Sequence, residues 1–201
     1  MDELPQLVAA GATTSVDGQW QRHIGVRHAA TALDGRRGYG RWGTKDGFPV
    51  LYLGRPHDSV VVEAYRHFVD PMEDPTQAAA IAAQVQPRML VTVAVNVTNI
   101  LDLRSAATRM QLGLGLDVLQ SDTNRRDAYA ACQEVAQVAH QLGFHGVLAP
   151  AATQIGDTLA LFSDALPSAE RPARAAEDQL WEHLPNDPRR TPRPSLTIVR
   201  E

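Results

Sequence analysis

The chain contains very little cysteine and lysine. Cys132 is the only cysteine, which excludes an internal disulfide, and Lys45 is the only lysine, so nearly all of the 19 basic residues are arginines. Arginine is the better bidentate partner for phosphate, but the base composition of a GC-rich genome explains this bias more simply. The formal net charge is -4 and no run of basic residues occurs. The sequence therefore does not predict direct binding to nucleic acid.

Long apolar runs and the common cofactor motifs are also missing. No run approaches the roughly 18 apolar residues of a membrane-spanning helix, and the acidic N-terminus is unlike a signal peptide, so we expect a cytoplasmic protein without membrane attachment. No GxGxxG motif follows a strand, and there is no P-loop. The seven histidines form no HExxH motif or paired Cys/His spacing, so no metal site is predicted. The absence of GxSxG disfavours an α/β hydrolase.

The order of predicted elements indicates the fold class. With 201 residues, 44% of them hydrophobic, the chain is long enough for one domain around one core. Strands are predicted at residues 20–26, 48–53, 89–97 with a continuation at 99–103, 146–149 and 158–162. Helices are predicted at residues 57–70, 76–84, 105–112 and from 124 or 127 to 142. Because these elements do not form regular βαβ units, we expect a single α+β domain with a bent or split mixed β-sheet flanked by helices.

Three segments of the chain differ in composition. Residues 1–16 are predicted to form a loosely held N-terminal arm, and residues 17–163 contain the clear pattern of strands and helices. Residues 164–201 are rich in proline and charge, which predicts a C-terminal extension. Within this extension we expect a short helix around residues 175–184 and an edge strand at residues 195–199.

Two arginines are candidates for binding a phosphate group. Arg22 lies in the first predicted strand, where its guanidinium either points to solvent at a sheet edge or faces a diphosphate as a planar bidentate donor. Arg41 stands between Gly40 and Trp42, in a turn that either brings the backbone close to a ligand or anchors the tryptophan in the core. The local sequence leaves both pairs of alternatives open.

A tyrosine and a glutamate follow within one strand and one helix. Tyr52 lies in an apolar strand, where its ring is either a core residue with a satisfied hydroxyl or a surface on which an aromatic ligand stacks. Glu63 lies in a helix for which Asp58 or Ser59 is the predicted cap. Its carboxylate is either buried beside a partner or exposed to solvent near the positive end of the helix.

Arginine, tyrosine and glutamate together suit the cleavage of a pyrophosphate-linked nucleotide. Breaking an N-glycosidic bond creates positive charge on the ribose, which a carboxylate stabilises. An arginine neutralises the diphosphate and orients the substrate, and an aromatic ring holds the leaving base. This set requires neither a metal nor a prosthetic group.

Four blocks of the sequence resemble the RES domain family. In chain order they are WQRH, GRWG with FPVLYLG, SVVVEAYRH, and QLGFHGVLAPAATQIGDTLALF. They extend from about residue 20 to residue 163, so the resemblance identifies residues 17–163 as a RES-like catalytic domain. It implies a fold similar to ADP-ribosyltransferase toxins, NAD as the substrate, and a partner antitoxin of the Xre type that masks the site.

The resemblance also implies roles for individual residues. Arg22 would bind the phosphates of NAD, Tyr52 would contact the nicotinamide side, and Glu63 would be the catalytic carboxylate. Arg41, in the matching Gly-Arg-Trp block, is a second candidate for binding NAD. The serine of the family pattern is replaced here by Ala151, and Thr153 is a nearby hydroxyl that could substitute only if the loop shifts. Loss of one hydrogen bond to a substrate would lower the rate roughly five- to 150-fold.

Three functions are compatible with this pattern. The first is a toxin that cleaves the nicotinamide–ribose bond of NAD as a glycohydrolase or phosphorylase, with an antitoxin as inhibitor. The second is a weakened or inactive NAD-binding module of the same fold, motivated by Ala151. The third is an ADP-ribosyltransferase that modifies a protein. The sequence does not separate these alternatives, and it leaves homo-oligomer formation open.

Overall fold

A mixed β-sheet forms the centre of the computed structural model, which describes residues 3–121 and 129–190. The strands are β1 Thr13–Gly25, β2 Val50–Arg55, β3 Arg88–Asp102, β4 Gly146–Pro150, β5 Asp157–Phe162, β6 Ala173–Arg174 and β7 Gln179–Trp181. The helices are α1 Glu3–Ala9, α2 His57–Phe68, α3 Pro75–Gln84, α4 Ala106–Gln111, α5 Leu116–Leu119 and α6 Tyr129–Gln141. Short 3₁₀ turns occupy Val26–Thr31, Ser168–Glu170 and Pro188–Arg190.

Five strands of this sheet close into a barrel. Their order is β1-β2-β5-β4-β3, and β3 pairs back with β1. The pairing of β3 with β4 is parallel, while the other pairings around the barrel are antiparallel. β7 and β6 add to β3 along the edge that also carries β4. A mixed, strongly curved sheet with helices on its faces confirms the predicted α+β class.

Two large groups of buried side chains hold the barrel together. The first group lies between the barrel and α6, and it includes Trp42, Cys132 and Phe162, each at most 1% exposed. The second group contains Trp20 of β1 and Ile100 of β3, both fully buried. Burying a large apolar side chain stabilises the fold by about 1.5–3 kcal/mol. Cys132 is thus a small packing residue, as predicted.

The boundaries of α2, α3 and α4 agree with the predictions to within two residues, but the predicted cap of α2 does not. α2 begins at His57, but its N-terminal cap is Pro56, which makes no side-chain hydrogen bond to the helix. The prediction that Asp58 or Ser59 caps this helix is wrong, because the helix starts before both residues. In α4, the Ser105 side chain accepts a hydrogen bond from the backbone N–H of Thr108, as a capping serine does.

Helix α6 is described from Tyr129 onwards, so the predicted start at residue 124 or 127 lies outside the described residues. The predicted end is close to the observed one, since the helix ends at Gln141 and Gly143 follows with φ at +80°. This left-handed conformation favours glycine and ends the helix.

The C-terminal extension differs from the prediction. Instead of a helix around residues 175–184, the chain forms β6 and β7, because the outer edge of β3 is open for pairing there. Trp181 is paired with Arg88 and is 7% exposed, so the pairing also buries an aromatic ring. The predicted strand at residues 195–199 lies outside the described residues.

Residues before β1 form a helix instead of an irregular segment. α1 contributes Val8, which is fully buried in the group of side chains around α6. β1 already begins at Thr13, so its first residues fall within the predicted arm. The division of the chain into arm, catalytic domain and extension stays a prediction.

The extension is also attached to the end of α2. Arg189 donates to both carboxylate oxygens of Asp70, at 2.7 and 2.9 Å, and to Asp187 at 2.8 Å. The hydroxyl of Tyr65 in α2 donates to the carbonyl of Pro185 at 2.9 Å. Because the Asp187 side chain is only 4% exposed, its charge depends on the arginine.

His23 of β1 is held as a neutral acceptor by its neighbours. Its Nδ1 accepts from Nε of Arg88 at 2.8 Å, and its ring stacks on Trp181 with the centroids 6.1 Å apart. Burial, together with the positive charge of Arg88, lowers the pKa of His23 to about 3. Since Nδ1 accepts, the proton of the neutral ring lies on Nε2.

Among the described residues, the helices are all too short or too polar to cross a bilayer.

Arg189→Ala should destabilise the protein by about 1–3 kcal/mol, because it leaves the buried Asp187 without the arginine that donates hydrogen bonds to it. Arg190→Ala is the matched control, since Arg190 is 79% exposed and lies 3.8 Å from the same carboxylate. Urea unfolding should show a change of less than about 0.5 kcal/mol for this control. Equal unfolding free energies for the two variants would contradict the account of the attachment.

His23 should make the protein less stable in mild acid. The unfolded chain protonates this residue near pH 6.5, but the folded chain does so only near pH 3. Above pH 6.5 the residue is neutral in both states and does not change the unfolding free energy. Below pH 6.5 the unfolded chain binds a proton that the folded chain does not, so the unfolding free energy falls as the pH drops towards 3. Between pH 7 and pH 5 this residue should lower the unfolding free energy by about 2 kcal/mol.

Urea unfolding of the native chain and of His23→Gln at both pH values tests this, because glutamine keeps an acceptor for Arg88 and does not titrate. His183→Gln, at an exposed position, is the control. The His23→Gln variant should lose most of the difference between the two pH values, and an unchanged difference would contradict the assignment.

Candidate active site

A cavity of about 500 Å³ opens between β1, β2 and α2. Its wall also includes the turn at residues 39–42, Tyr129 of α6 and part of the loop after β4. Within the described residues, β1 and β2 share one registered pair, Gln21 with Gly54, and both of these residues line the cavity. The volume lies in the range of about 300–1,000 Å³ that is typical of small-molecule sites.

The structure brings most of the predicted site residues together. Arg22, Arg41, Tyr52 and Glu63 all line this cavity, although they come from two strands, a turn and a helix. Convergence from separate elements is typical of a binding or catalytic site.

The two predicted residues of the loop after β4 lie elsewhere. Ala151 is 1% exposed and Thr153 is 7% exposed, and neither belongs to the cavity wall that the described residues form. Their neighbour Ala152 does line the cavity. Thr153 instead makes a hydrogen bond of 2.7 Å to the hydroxyl of Ser59, which is part of the wall. Direct contact of Ala151 or Thr153 with a ligand is therefore not supported by this arrangement.

Arg22 has an unused donor in the cavity wall. Its Nη1 donates to the carbonyl of Ala32 at 2.8 Å, while its Nε is buried and has no hydrogen-bond partner among the described residues. Burial, together with the positive charges of Arg36 and Arg88, lowers the pKa of Arg22 to about 10. The side chain thus stays cationic at neutral pH. A partly desolvated cation with an unused donor favours an anionic ligand.

Tyr52 is fixed by the turn that precedes its strand. Its hydroxyl oxygen accepts from the backbone N–H of Trp42 at 3.0 Å. Gly40 is required here, because a Cβ at this position would lie 2.8 Å from that hydroxyl oxygen. Gln133 of α6 donates to the carbonyl of Gly40 at 2.8 Å and holds the turn in place. Burial raises the pKa of Tyr52 well above its usual value, so the phenol remains neutral.

Arg41 uses its donors within the protein. Its guanidinium donates to the carbonyl of Val118 at 2.5 Å and to the carbonyl of Ser121 at 3.0 Å. It also lies over the ring of Tyr129, 4.5 Å from the centroid, and Tyr39 stacks against that ring at 5.9 Å. Arg41 therefore contributes positive charge to the cavity and joins the turn to the end of α5.

Glu63 is an exposed residue that nevertheless lines the cavity. It lies on α2 with Ser59 four residues before it and His67 four residues after it, and both also line the cavity. Residues at this spacing share one face of a helix. At Gly54, a Cβ would lie 3.2 Å from Cγ2 of Val60, so this glycine allows α2 to pack close to β2.

Several cavity residues were not predicted as site residues. Ser59 and His67 could have been found from their spacing to Glu63, which repeats every four residues along the helix. His23 could have been found from its position directly after Arg22. Tyr129 has no such signal, because it reaches the site only through the packing of α6 on the barrel.

The part of the cavity wall that the described residues form combines one carboxylate, three arginines, three tyrosines and one tryptophan. Among residues 3–121 and 129–190, no cluster of three or more His, Cys, Asp or Glu side chains could hold a metal ion. The arginines favour a phosphate-bearing ligand, the carboxylate can stabilise developing positive charge, and the tyrosines offer surfaces for stacking. These properties together suit a nucleotide.

The chain is similar in sequence to the RES domain and to proteins named NAD(+) phosphorylase. The sequence model of the RES domain matches residues 19–183. A protein of Mycobacterium tuberculosis named "Probable NAD(+) phosphorylase Rv3189" is 32% identical over 171 residues, which are 84% of this chain and 75% of that protein. The "NAD(+) phosphorylase MbcT" of Mycobacterium bovis is 30% identical over 161 residues, 78% of this chain and 80% of the relative.

A solved structure supports the same relationship. The crystal structure of the M. tuberculosis MbcT-MbcA toxin-antitoxin complex contains a chain that superposes with a TM-score of 0.71 at 26% identity. The match covers 90% of this chain and 93% of that one. The four blocks of sequence that predicted the family all lie within the matched residues 19–183. The chain belongs to the RES domain family.

Proposed function

We propose that the protein is an NAD phosphorylase and the toxin of a toxin–antitoxin pair. It would cleave the nicotinamide–ribose bond of NAD and transfer the ADP-ribosyl group to inorganic phosphate. The observation that carries this proposal is that Arg22, Tyr52 and Glu63 line one cavity. The names of the sequence relatives support phosphate as the acceptor.

The proposed reaction breaks one bond and forms one. The bond between the anomeric carbon of the nicotinamide ribose and the pyridinium nitrogen breaks, and its electron pair leaves with neutral nicotinamide. An oxygen of phosphate then bonds to the same carbon and gives ADP-ribose 1″-phosphate. Because positive charge develops on the ribose, the carboxylate of Glu63 would stabilise the transition state and accept hydrogen bonds from the ribose hydroxyls.

Arg22 would bind the diphosphate of NAD. Its buried Nε lacks a hydrogen-bond partner among the described residues, and its positive charge is only partly solvated. A phosphate oxygen would accept a hydrogen bond from this Nε and balance the positive charge, and these contacts would fix the substrate relative to Glu63. Arg41 would add positive charge from its position in the turn, while its own donors stay bound to the protein.

Tyr52 would orient the nicotinamide side of the substrate. Its hydroxyl oxygen already accepts from Trp42, so the phenolic proton is the group left for a ligand. A neutral phenol can donate this proton to a carboxamide oxygen, and its ring provides an apolar surface for the leaving base.

The partner would be an antitoxin. An enzyme that consumes NAD requires restraint in its own cell, and the structural neighbour is part of a toxin-antitoxin complex. We extend to this chain the expectation of an Xre-type antitoxin that covers the cavity, and of a cytoplasmic location where NAD is available. Homo-oligomer formation stays a prediction.

Nicotinamide release from NAD should depend on both phosphate and Glu63. The purified native chain should release nicotinamide rapidly with phosphate present and slowly without it, and mass spectrometry should detect ADP-ribose 1″-phosphate. Glu63→Gln should lower kcat by about 10²–10⁴, because the neutral amide does not stabilise the charged ribose. Glu177→Gln, at an exposed position outside the cavity wall, is the matched control and should keep native activity.

Three results would contradict the proposal. Equal release with and without phosphate, with free ADP-ribose as the product, would indicate a glycohydrolase. Binding of NAD without turnover by the native chain would indicate an inactive binding module. Label from NAD attached to a protein in a lysate would indicate an ADP-ribosyltransferase.

A further inference from the structure

We propose that Ser59 is a substrate-positioning residue whose hydroxyl oxygen accepts a hydrogen bond from the nicotinamide ribose, and that Thr153 orients it for this purpose. This inference rests on the proposed function, which it extends to a residue outside the predicted set. It also explains how the site can lack a hydroxyl at Ala151, since α2 supplies one from the other side of the loop.

The first support is the location of Ser59. Its side chain is 3% exposed, it lines the cavity, and it lies in the first turn of α2. A buried hydroxyl in a cavity wall is desolvated, so a hydrogen bond that it makes to a ligand discriminates strongly between ligands.

The second support is the hydrogen bonding behind Ser59. Its Oγ is 2.7 Å from Oγ1 of Thr153, which in turn lies 3.2 Å from the carbonyl oxygen of Ile155 and 3.3 Å from the backbone nitrogen of Ile155. A threonine hydroxyl has one proton and two lone pairs. Either hydroxyl could donate across the 2.7 Å contact, and we assign the proton of Thr153 to the carbonyl, which can only accept.

This assignment determines the direction of the remaining bond. Thr153 accepts from the backbone N–H of Ile155 and from the hydroxyl of Ser59, which uses both of its lone pairs. With this assignment the proton of Ser59 is directed to Thr153, which is not part of the described cavity wall. The lone pairs of Ser59 are left as acceptors for a ligand, so this position selects a hydrogen-bond donor.

The third support is the relation to Glu63. Ser59 and Glu63 are four residues apart on one helix face, with their Cβ atoms about 6 Å apart, and both line the cavity. The carboxylate of Glu63 and the hydroxyl oxygen of Ser59, whose proton is used in the bond to Thr153, form a pair of acceptors. The 2″- and 3″-hydroxyls of the nicotinamide ribose form a matching pair of donors next to the carbon that reacts. We therefore assign the ribose diol to these two side chains.

The test combines variants of this pair with altered substrates. Ser59→Ala should lower kcat/KM for NAD roughly tenfold, as expected for one lost hydrogen bond to a substrate. Thr153→Val should lower kcat/KM by a smaller factor. Without the Thr153 hydroxyl, the Ser59 proton is no longer bound on that side, so the Ser59 oxygen is oriented less well to accept from the ligand. Thr153→Ser keeps the hydroxyl and should restore native kcat/KM. The double variant Ser59→Ala with Thr153→Val should match Ser59→Ala alone, since Thr153 acts through Ser59.

The analogues 2″-deoxy-NAD and 3″-deoxy-NAD identify the bonded hydroxyl. For the analogue that lacks it, the native chain and Ser59→Ala should have the same kcat/KM, whereas the tenfold difference should persist for the other analogue. Ser105→Ala is the control for destabilisation alone, because Ser105 caps α4 and is not part of the cavity wall. It should lower the Tm without changing kcat/KM.

Separate results distinguish this inference from the proposed function. If Ser59→Ala lowers the Tm but has native kcat/KM, Ser59 is a structural residue and the inference is overturned while the function stands. A tenfold loss that persists with both deoxy analogues overturns it as well. If the native chain binds NAD without turnover, the proposed function fails, and the same variants and analogues then test the inference through the Kd measured by calorimetry.

Discussion

The close packing of α2 on the barrel is the constraint on which the candidate site depends. β1 and β2 meet at Gln21 and Gly54, and α2 lies against β2 at the same glycine. The cavity opens at this junction, with strand residues on one side and the polar face of the helix on the other. A larger residue at position 54 would push the helix away, and the Glu63 carboxylate would move relative to Arg22.

The barrel keeps these two sides at a fixed distance. β1 pairs with β3 from Thr13 to Gly25, so the strand that carries Arg22 is held along its whole length. The end of α2 is attached to the C-terminal extension through Arg189. Because both sides are anchored by these contacts, the site can contain partly desolvated charges without distortion of the fold.

Much of the fold and part of the site could be predicted from the sequence. Tyr52 and Glu63 lie in elements with clear local patterns, so the strand and the helix that carry them were predicted correctly. Local patterns do not report long-range pairing, which is why β6 was not predicted and β7 was mistaken for part of a helix. Likewise, the hydroxyl pair of Ser59 and Thr153 joins residues 94 positions apart and is visible only in three dimensions.

The central claim is that one NAD molecule contacts the strand side and the helix side of this cavity together. The most direct measurement is a crystal structure of the Glu63→Gln variant with NAD bound. The account predicts a diphosphate oxygen within hydrogen-bond distance of Arg22 Nε, and the nicotinamide ribose beside residue 63. NAD bound elsewhere on the surface, or bound in the cavity with its diphosphate away from Arg22, would contradict it.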